Sequence, residues 1–376
     1  MKSRIYSIIF LLLVCNSSTS AQVKIRIFAN QTPESAIFSV TAGVYELNTY
    51  TGYRWIVKSG TLVAITKFSD RLVVKVMNDN AVICDSVFLE GKTGNDLFSL
   101  RISGKIILRQ NYSGDLKCLP DLGTLLFVNT CDIESYIAGV VRSEGGSGKF
   151  PEYFKTQAVI VRTYMYRYME KHAADHFNLC DDTHCQVFNG LTGDSLIIRA
   201  ALETKGEIIT GPDTLPIIAA FHSNCGGETV PSEDVWLTSQ PYLRKVTDPH
   251  CNNSRNARWS ETMSTEEWNG YLKKSGYNGD ALLLNFSQNT RSTLYKAGSF
   301  SLPLRQIRND LNLRSTFFSV SVDSDSVVLK GRGYGHGVGL CQEGAMSMAA
   351  KGFNYRQIIG FYYTGVRIAG INEIVK

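Results

Sequence analysis

The chain has 376 residues, is 44% hydrophobic and 19% charged, and carries a formal net charge of +5. That length accommodates two or three domains, each able to bury a core. A positive charge this weak, with no basic cluster, argues against a nucleic-acid partner.

The first residues read as a secretory signal. Met1-Lys2-Ser3-Arg4 is basic, Ile8 to Val14 is apolar, and small residues lead to Ala21. Cleavage is expected after Ala21, so residues 1–21 would leave. The apolar run is too short to cross a membrane. Cys15 offers a lipoprotein alternative, although Val14 stands where a small residue is expected. The mature protein is therefore expected to be exported, periplasmic or in the cell envelope, and soluble without a transmembrane span. Without Lys2 and Arg4 the net charge falls from +5 to +3. Eight cysteines remain, at 84, 118, 131, 180, 185, 225, 251 and 341. An even number in an exported chain is compatible with disulfides.

Residues 22–115 alternate with period two and are read as a β-rich accessory domain. Val23 to Ile27, Leu72 to Val76 and Lys105 to Leu108 are its clearest strands. From 116 the pattern changes. Asp132 to Val141 places Ile133, Ile137, Val140 and Val141 on one helical face, closed by Glu144-Gly145-Gly146. A second helix opens at Pro151, with a stripe of Phe154, Ala158, Val161, Met165 and Met169 that belongs to the core. Ile208 to Thr210 and Ile217 to Phe221 read as strands about a Gly211-Pro212-Asp213 turn. Residues 255–313 look like a mixed insertion within a second domain, 116–376. The whole predicts an α+β fold.

The densest signal comes late. Gly331-Arg332-Gly333-Tyr334-Gly335-His336-Gly337-Val338-Gly339 alternates glycine with other residues and feeds a helix-compatible run from Gln342. Such a loop permits positive φ and close approach to a ligand. It has neither P-loop nor dinucleotide spacing.

Taken in order, the motifs resemble a known family. They are Tyr136 to Glu144, Lys155 to Val159, Arg162-Thr163-Tyr164, Cys180 to Phe188, Ser223 to Thr229, and the glycine loop. This set is similar to the SpoIID/LytB group, the stage II sporulation protein D and amidase-enhancer family, over about residues 116–370. The resemblance implies a SpoIID-like catalytic domain and a lytic transglycosylase. Such enzymes cut the N-acetylmuramic acid–N-acetylglucosamine bond of peptide-stripped peptidoglycan, leaving 1,6-anhydro ends. It makes Glu144 the acid.

A single carboxyl can serve that reaction: it protonates the leaving oxygen, then takes the proton of the attacking C6 hydroxyl. Its pKa should be raised by burial. Glu134 and Glu152 open their helices, where acidic residues favour the dipole, and need no catalytic role.

Cys180, His184 and Cys185 have ligand types suited to a structural zinc. Some family members bind zinc in this segment with two Cys and two His. His172 and His176 both stand upstream; His176 is taken as the fourth ligand. A Cys180–Cys185 disulfide is the rival. Ser223, Cys225, Gly226, Gly227, Tyr334, His336 and Gln342 are expected to bind the glycan, and Cys225 and Cys251 can pair. Two other functions compete: a non-catalytic glycan-binding enhancer of a wall amidase, and a zinc hydrolase, which would need an open metal position.

Overall fold

The computed structural model describes residues 21–279, 285–323 and 325–374. Apart from Ala21, the expected export signal, with Cys15, lies outside the described residues. Period-two alternation does build strands: Gln22–Ile27 buries Val23, Ile25 and Ile27 and turns the residues between them outward.

Two sheets form the N-terminal half. A seven-stranded sheet runs Leu179–Cys180, Gln22–Ile27, Thr124–Asp132, Asp115–Asp121, Val87–Gly91, Val44–Asn48, Arg54–Lys58. A six-stranded sheet contains Ile107–Ser113, Leu97–Ser103, Ser35–Ala42, Leu62–Phe68, Arg71–Val76 and Val82–Cys84. Aromatic rings lock the inner faces. Tyr45 of the first sheet packs edge-on against Phe38 and Phe98 of the second, at 5.2 and 5.8 Å. The change of character expected at 116 comes at Asp132, because Asp115–Asp121 and Thr124–Asp132 complete the first sheet.

Asp132 ends the sheet and caps the first helix, α1 (Ile133–Gly145); its carboxylate accepts from the Ser135 N–H at 2.9 Å. Ile133, Ile137, Val140 and Val141 are buried, as the pattern predicts. The second helix, α2 (Pro151–Arg167), has Pro151 in its first turn and buries Phe154, Ala158, Val161 and Met165. Asp194 caps α3 (Ser195–Glu203). Arg162, wholly buried in α2, holds these parts together. Its guanidinium pairs with Glu134 of α1 at 2.5 Å and donates to the carbonyls of Ala201 and Glu207. Glu152 pairs with Lys155 and accepts from the Tyr355 N–H. Both acids therefore have structural partners.

Helices and sandwich share one continuous core, from Val23 to Tyr363. Phe188 is the wedge between them: its ring lies 5.9 Å from Tyr112 of the sandwich and 5.1 Å from Tyr136 of α1. Gly139 makes room, since a Cβ there would sit 2.4 Å from Phe188.

A second core, spanning Trp259 to Leu329, gathers Trp268, Tyr295, Ile307 and Val320. It extends beyond the expected 255–313 because Ser326–Arg332 pairs with Arg258–Ser264 on one side and with Phe318–Val322 on the other. The strand expected at Ile217 to Phe221 is reduced to Phe221–His222. Side chains take some of its other backbone groups: Tyr242 Oη accepts from the Ile218 N–H, and Tyr363 Oη donates to the Ala220 carbonyl.

Candidate active site

Glu144 sits in the last turn of α1, where its side chain meets a cavity of about 640 Å³. The wall includes Tyr164, Tyr168, Gln186, Phe221, Trp236 and His336. Among the described residues of that wall, Glu144 is the one carboxylate. Burial raises its pKa above the ordinary 4.5, while the Val187 N–H, 2.9 Å from Oε1, partly offsets this by favouring the anion.

The glycine loop reaches the same cavity through His336. Gly335 and Gly337 both have positive φ, 110° and 84°. They turn His336 inward between Trp236 and His222, whose rings each lie 5.5 Å away. Burial lowers the His336 pKa to about 4; Arg308 and Arg291 reinforce the shift against a hydrogen bond to the Phe221 backbone. The neutral ring accepts the Val338 N–H at Nδ1, which leaves its proton on Nε2.

The other expected glycan contacts do not line this cavity. Cys225 is wholly buried and cannot meet a glycan; its sulfur stands against Cys251 and Asp248. Gly226 is also buried, and a Cβ there would strike Arg332 at 2.8 Å. Gly227 shares that turn, with φ 104°. The Ser223 carbonyl accepts from the Glu343 N–H, and Tyr334 is exposed on a bridge to Asn224. Buried Gln342 donates its amide to the Glu144 carbonyl at 3.0 Å, so it touches the acid's backbone rather than the cavity. This loop therefore works mainly as a support for the groove.

The Cys/His segment forms a compact donor set. His172, Cys180, His184 and Cys185 offer donor atoms all within 4.8 Å of one another. Cys185 Sγ lies 3.5 Å from His172 Nε2 and 3.8 Å from His184 Nδ1; Cys180 Sγ lies 3.7 Å from His184 Nδ1. The edges of a tetrahedron with ordinary zinc–sulfur and zinc–nitrogen bonds are about 3.5–3.8 Å, so the four residues fit zinc. His172 Nδ1 faces the Asp175 carboxylate at 3.4 Å, the kind of outer partner that orients a ligating imidazole. His172, not the expected His176, completes this donor set. His176 closes the turn Ala173–Asp175 in a left-handed conformation, φ 63°, outside the donor set.

Sequence reading also missed part of the wall. Tyr164 and Gln186 lie within the motifs, but nothing in their spacing marks them as wall residues. Tyr168 lies four residues beyond Tyr164, and the two rings pack at 4.6 Å. Trp236 gave no warning; it comes from the short helix Glu233–Trp236, outside the motifs.

The family described as Stage II sporulation protein, SpoIID, matches residues 122–210. Stage II sporulation protein D of Bacillus subtilis is 30% identical over 260 residues, covering 64% of this chain and 76% of that protein. An uncharacterized protein of Brachyspira hyodysenteriae is 29% identical over 366 residues, covering 93% of this chain and 96% of its own length. The amidase enhancer of Bacillus subtilis is 26% identical over 288 residues, 62% of this chain but 40% of that longer protein. The motifs, the helices that carry them and the extent of these matches agree: the chain belongs to the SpoIID family of stage II sporulation protein D.

Proposed function

We propose that this protein is an exported, cell-wall-active lytic transglycosylase that cleaves the glycan of peptidoglycan. One observation carries the reading: a single half-buried carboxyl, Glu144, stands in a large cavity among aromatic side chains. Glycoside hydrolases generally place two carboxylates across the scissile bond. An intramolecular attack needs one.

In the proposed step the protonated Glu144 gives its proton to the bridging oxygen as the C1–oxygen bond breaks. The N-acetylglucosamine leaves as an alcohol. The C6 hydroxyl of the same muramyl ring attacks C1 and gives its proton to the Glu144 carboxylate. The acid is regenerated, no water is consumed, and the product ends in a 1,6-anhydro ring. Burial keeps Glu144 protonated for the first half, and the Val187 N–H steadies the anion between the halves. Trp236 and Tyr168 offer flat faces for sugar rings.

Zinc, held by His172, Cys180, His184 and Cys185, would cross-link the loop that carries Gln186 and Val187. Four protein ligands leave it no open position, which favours a structural metal over a hydrolytic one. The likeness to a protein named amidase enhancer favours a second reading, in which the same groove holds glycan for a wall amidase without cutting it.

Mass spectrometry of peptide-free glycan after incubation separates these readings. Anhydro ends support the transglycosylase and reducing ends support a hydrolase. An uncut glycan together with a stimulated wall amidase supports the enhancer.

A further inference from the structure

Three cysteines and an aspartate from separate parts of the chain meet in the interior, apart from the groove. Cys225, Asp248, Cys251 and Cys341 are all 0% exposed, and their donor atoms lie within 4.8 Å of one another. Cys225 Sγ is 3.3 Å from Cys251 Sγ and 3.2 Å from Asp248 Oδ2. These spacings are within about half an ångström of the edges of a zinc tetrahedron built from sulfur and oxygen. We propose that Cys225, Cys251, Cys341 and Asp248 form a second metal centre, a closed thiolate-rich site for zinc.

The surroundings fit a charged sulfur cluster. Cys341 ends the strand Leu340–Cys341 and caps the helix Gln342–Ala350, so its sulfur accepts the Gly344 N–H at 3.4 Å. The Cys225 N–H points at the same sulfur from 3.3 Å. Tyr362 Oη donates to Asp248 Oδ2 at 2.9 Å, and the His250 N–H to Oδ1 at 2.8 Å, an outer shell that orients the carboxylate. Gly344 makes space for it, because a Cβ there would sit 2.4 Å from Asp248.

Charge points the same way. Three thiolates and a carboxylate around a divalent cation leave a net negative charge. Arg291 lies beside them, and its guanidinium donates to neutral acceptors: the Cys225 and Glu228 carbonyls and the Thr316 hydroxyl. The Glu228 carboxylate, which accepts the Arg291 main-chain N–H, supplies part of its counter-charge, and a metal–thiolate centre would add to it. A Cys225–Cys251 disulfide would be neutral, and would leave the Cys341 thiol and the Asp248 carboxyl buried without a common role. Thiolate-rich tetrahedral sites select zinc among the common divalent cations.

The site would fasten together two loops otherwise joined by the parallel pairing of Phe221–His222 with Leu340–Cys341. Both loops back the groove wall at Phe221 and His336. The inference does not depend on what the groove does.

Metal content tests it. The unmodified protein, purified without chelator from zinc-supplemented cells, should hold two zinc ions per chain in native mass spectrometry. Cys180→Ser with Cys185→Ser should keep one, and Cys225→Ser with Cys341→Ser should keep the other. Cobalt added to metal-free Cys180→Ser/Cys185→Ser protein should give strong tetrahedral visible bands and thiolate charge transfer. If that variant fails to fold, the wild-type count decides, together with the peptide map. A wild type that holds only one zinc, retained in full by Cys225→Ser/Cys341→Ser, overturns the proposal. So does an intact wild-type mass lighter by two hydrogens with a Cys225–Cys251 peptide. A single zinc lost in Cys225→Ser/Cys341→Ser but kept in Cys180→Ser/Cys185→Ser upholds this centre and removes the Cys2His2 one.

Discussion

Gln342 Nε2 donates to the main-chain carbonyl of Glu144 across 198 residues of sequence, at 3.0 Å. The bond ties the helix that follows the glycine loop to the end of α1. The acid's position is therefore set from two sides: Val187 holds the carboxylate and Gln342 holds the backbone.

Glu144→Gln should abolish most turnover while leaving the fold intact. The amide can still accept the Val187 N–H but cannot donate a proton as an acid. A loss of about 10²–10⁴-fold in kcat is expected from general acid–base chemistry, with glycan binding nearly unchanged. Wild-type rates on a glycan that the parent cleaves would remove Glu144 from the mechanism.

The pH profile should fall on its alkaline side. In the proposed step cleavage starts from the protonated acid, and burial raises the Glu144 pKa above 4.5. Activity should hold below the shifted pKa and decline tenfold per pH unit above it. The measurement is kcat/KM against pH on peptide-free glycan. A descent centred at or below the ordinary carboxyl value would mean that another group, or the ionised form, limits the reaction.

Zinc retention should distinguish two histidines four residues apart. His172→Ala removes a donor that lies 3.5 Å from Cys185 Sγ and should lower zinc affinity and the melting temperature. His176→Asn keeps a side chain tolerant of the left-handed turn at φ 63° and should leave both unchanged. The reverse pattern, read by zinc titration and thermal melts, would restore His176 as the ligand.

Alanine at Gly339 should destabilise the fold, whereas alanine at Trp236 should affect substrate. A Cβ on Gly339 would sit 2.2 Å from the Ala220 carbonyl at φ 71°, a strain of about 1–3 kcal/mol. Trp236 is 36% exposed on the groove wall, so its loss should raise KM about tenfold with unchanged melting, in line with the contact area of an aromatic platform. Unchanged KM for Trp236→Ala would place the glycan elsewhere.

Local pattern made the helices and most of the sandwich legible. The stripe from Phe154 to Met165 and the alternation in Val23 to Ile27 each reflect one face meeting one core. What stayed hidden depends on partners distant in sequence. Cys225 sits in a glycine-rich turn that looks suited to a ligand, but its sulfur packs against Cys251, Asp248 and Cys341. Trp236 reaches the groove from a four-residue helix with no periodicity to read. His172 and His176 are equivalent by spacing, and only the turn at Ala173–Asp175 separates them.

The strand Gln22–Ile27 lies between Thr124–Asp132 and the short parallel strand Leu179–Cys180. Emerging early from the ribosome, it must wait for both neighbours, so the first sheet can close only after about half the polypeptide has been made. Such long-range closure predicts slow folding, and leaves the amino-terminal half open for as long as synthesis takes.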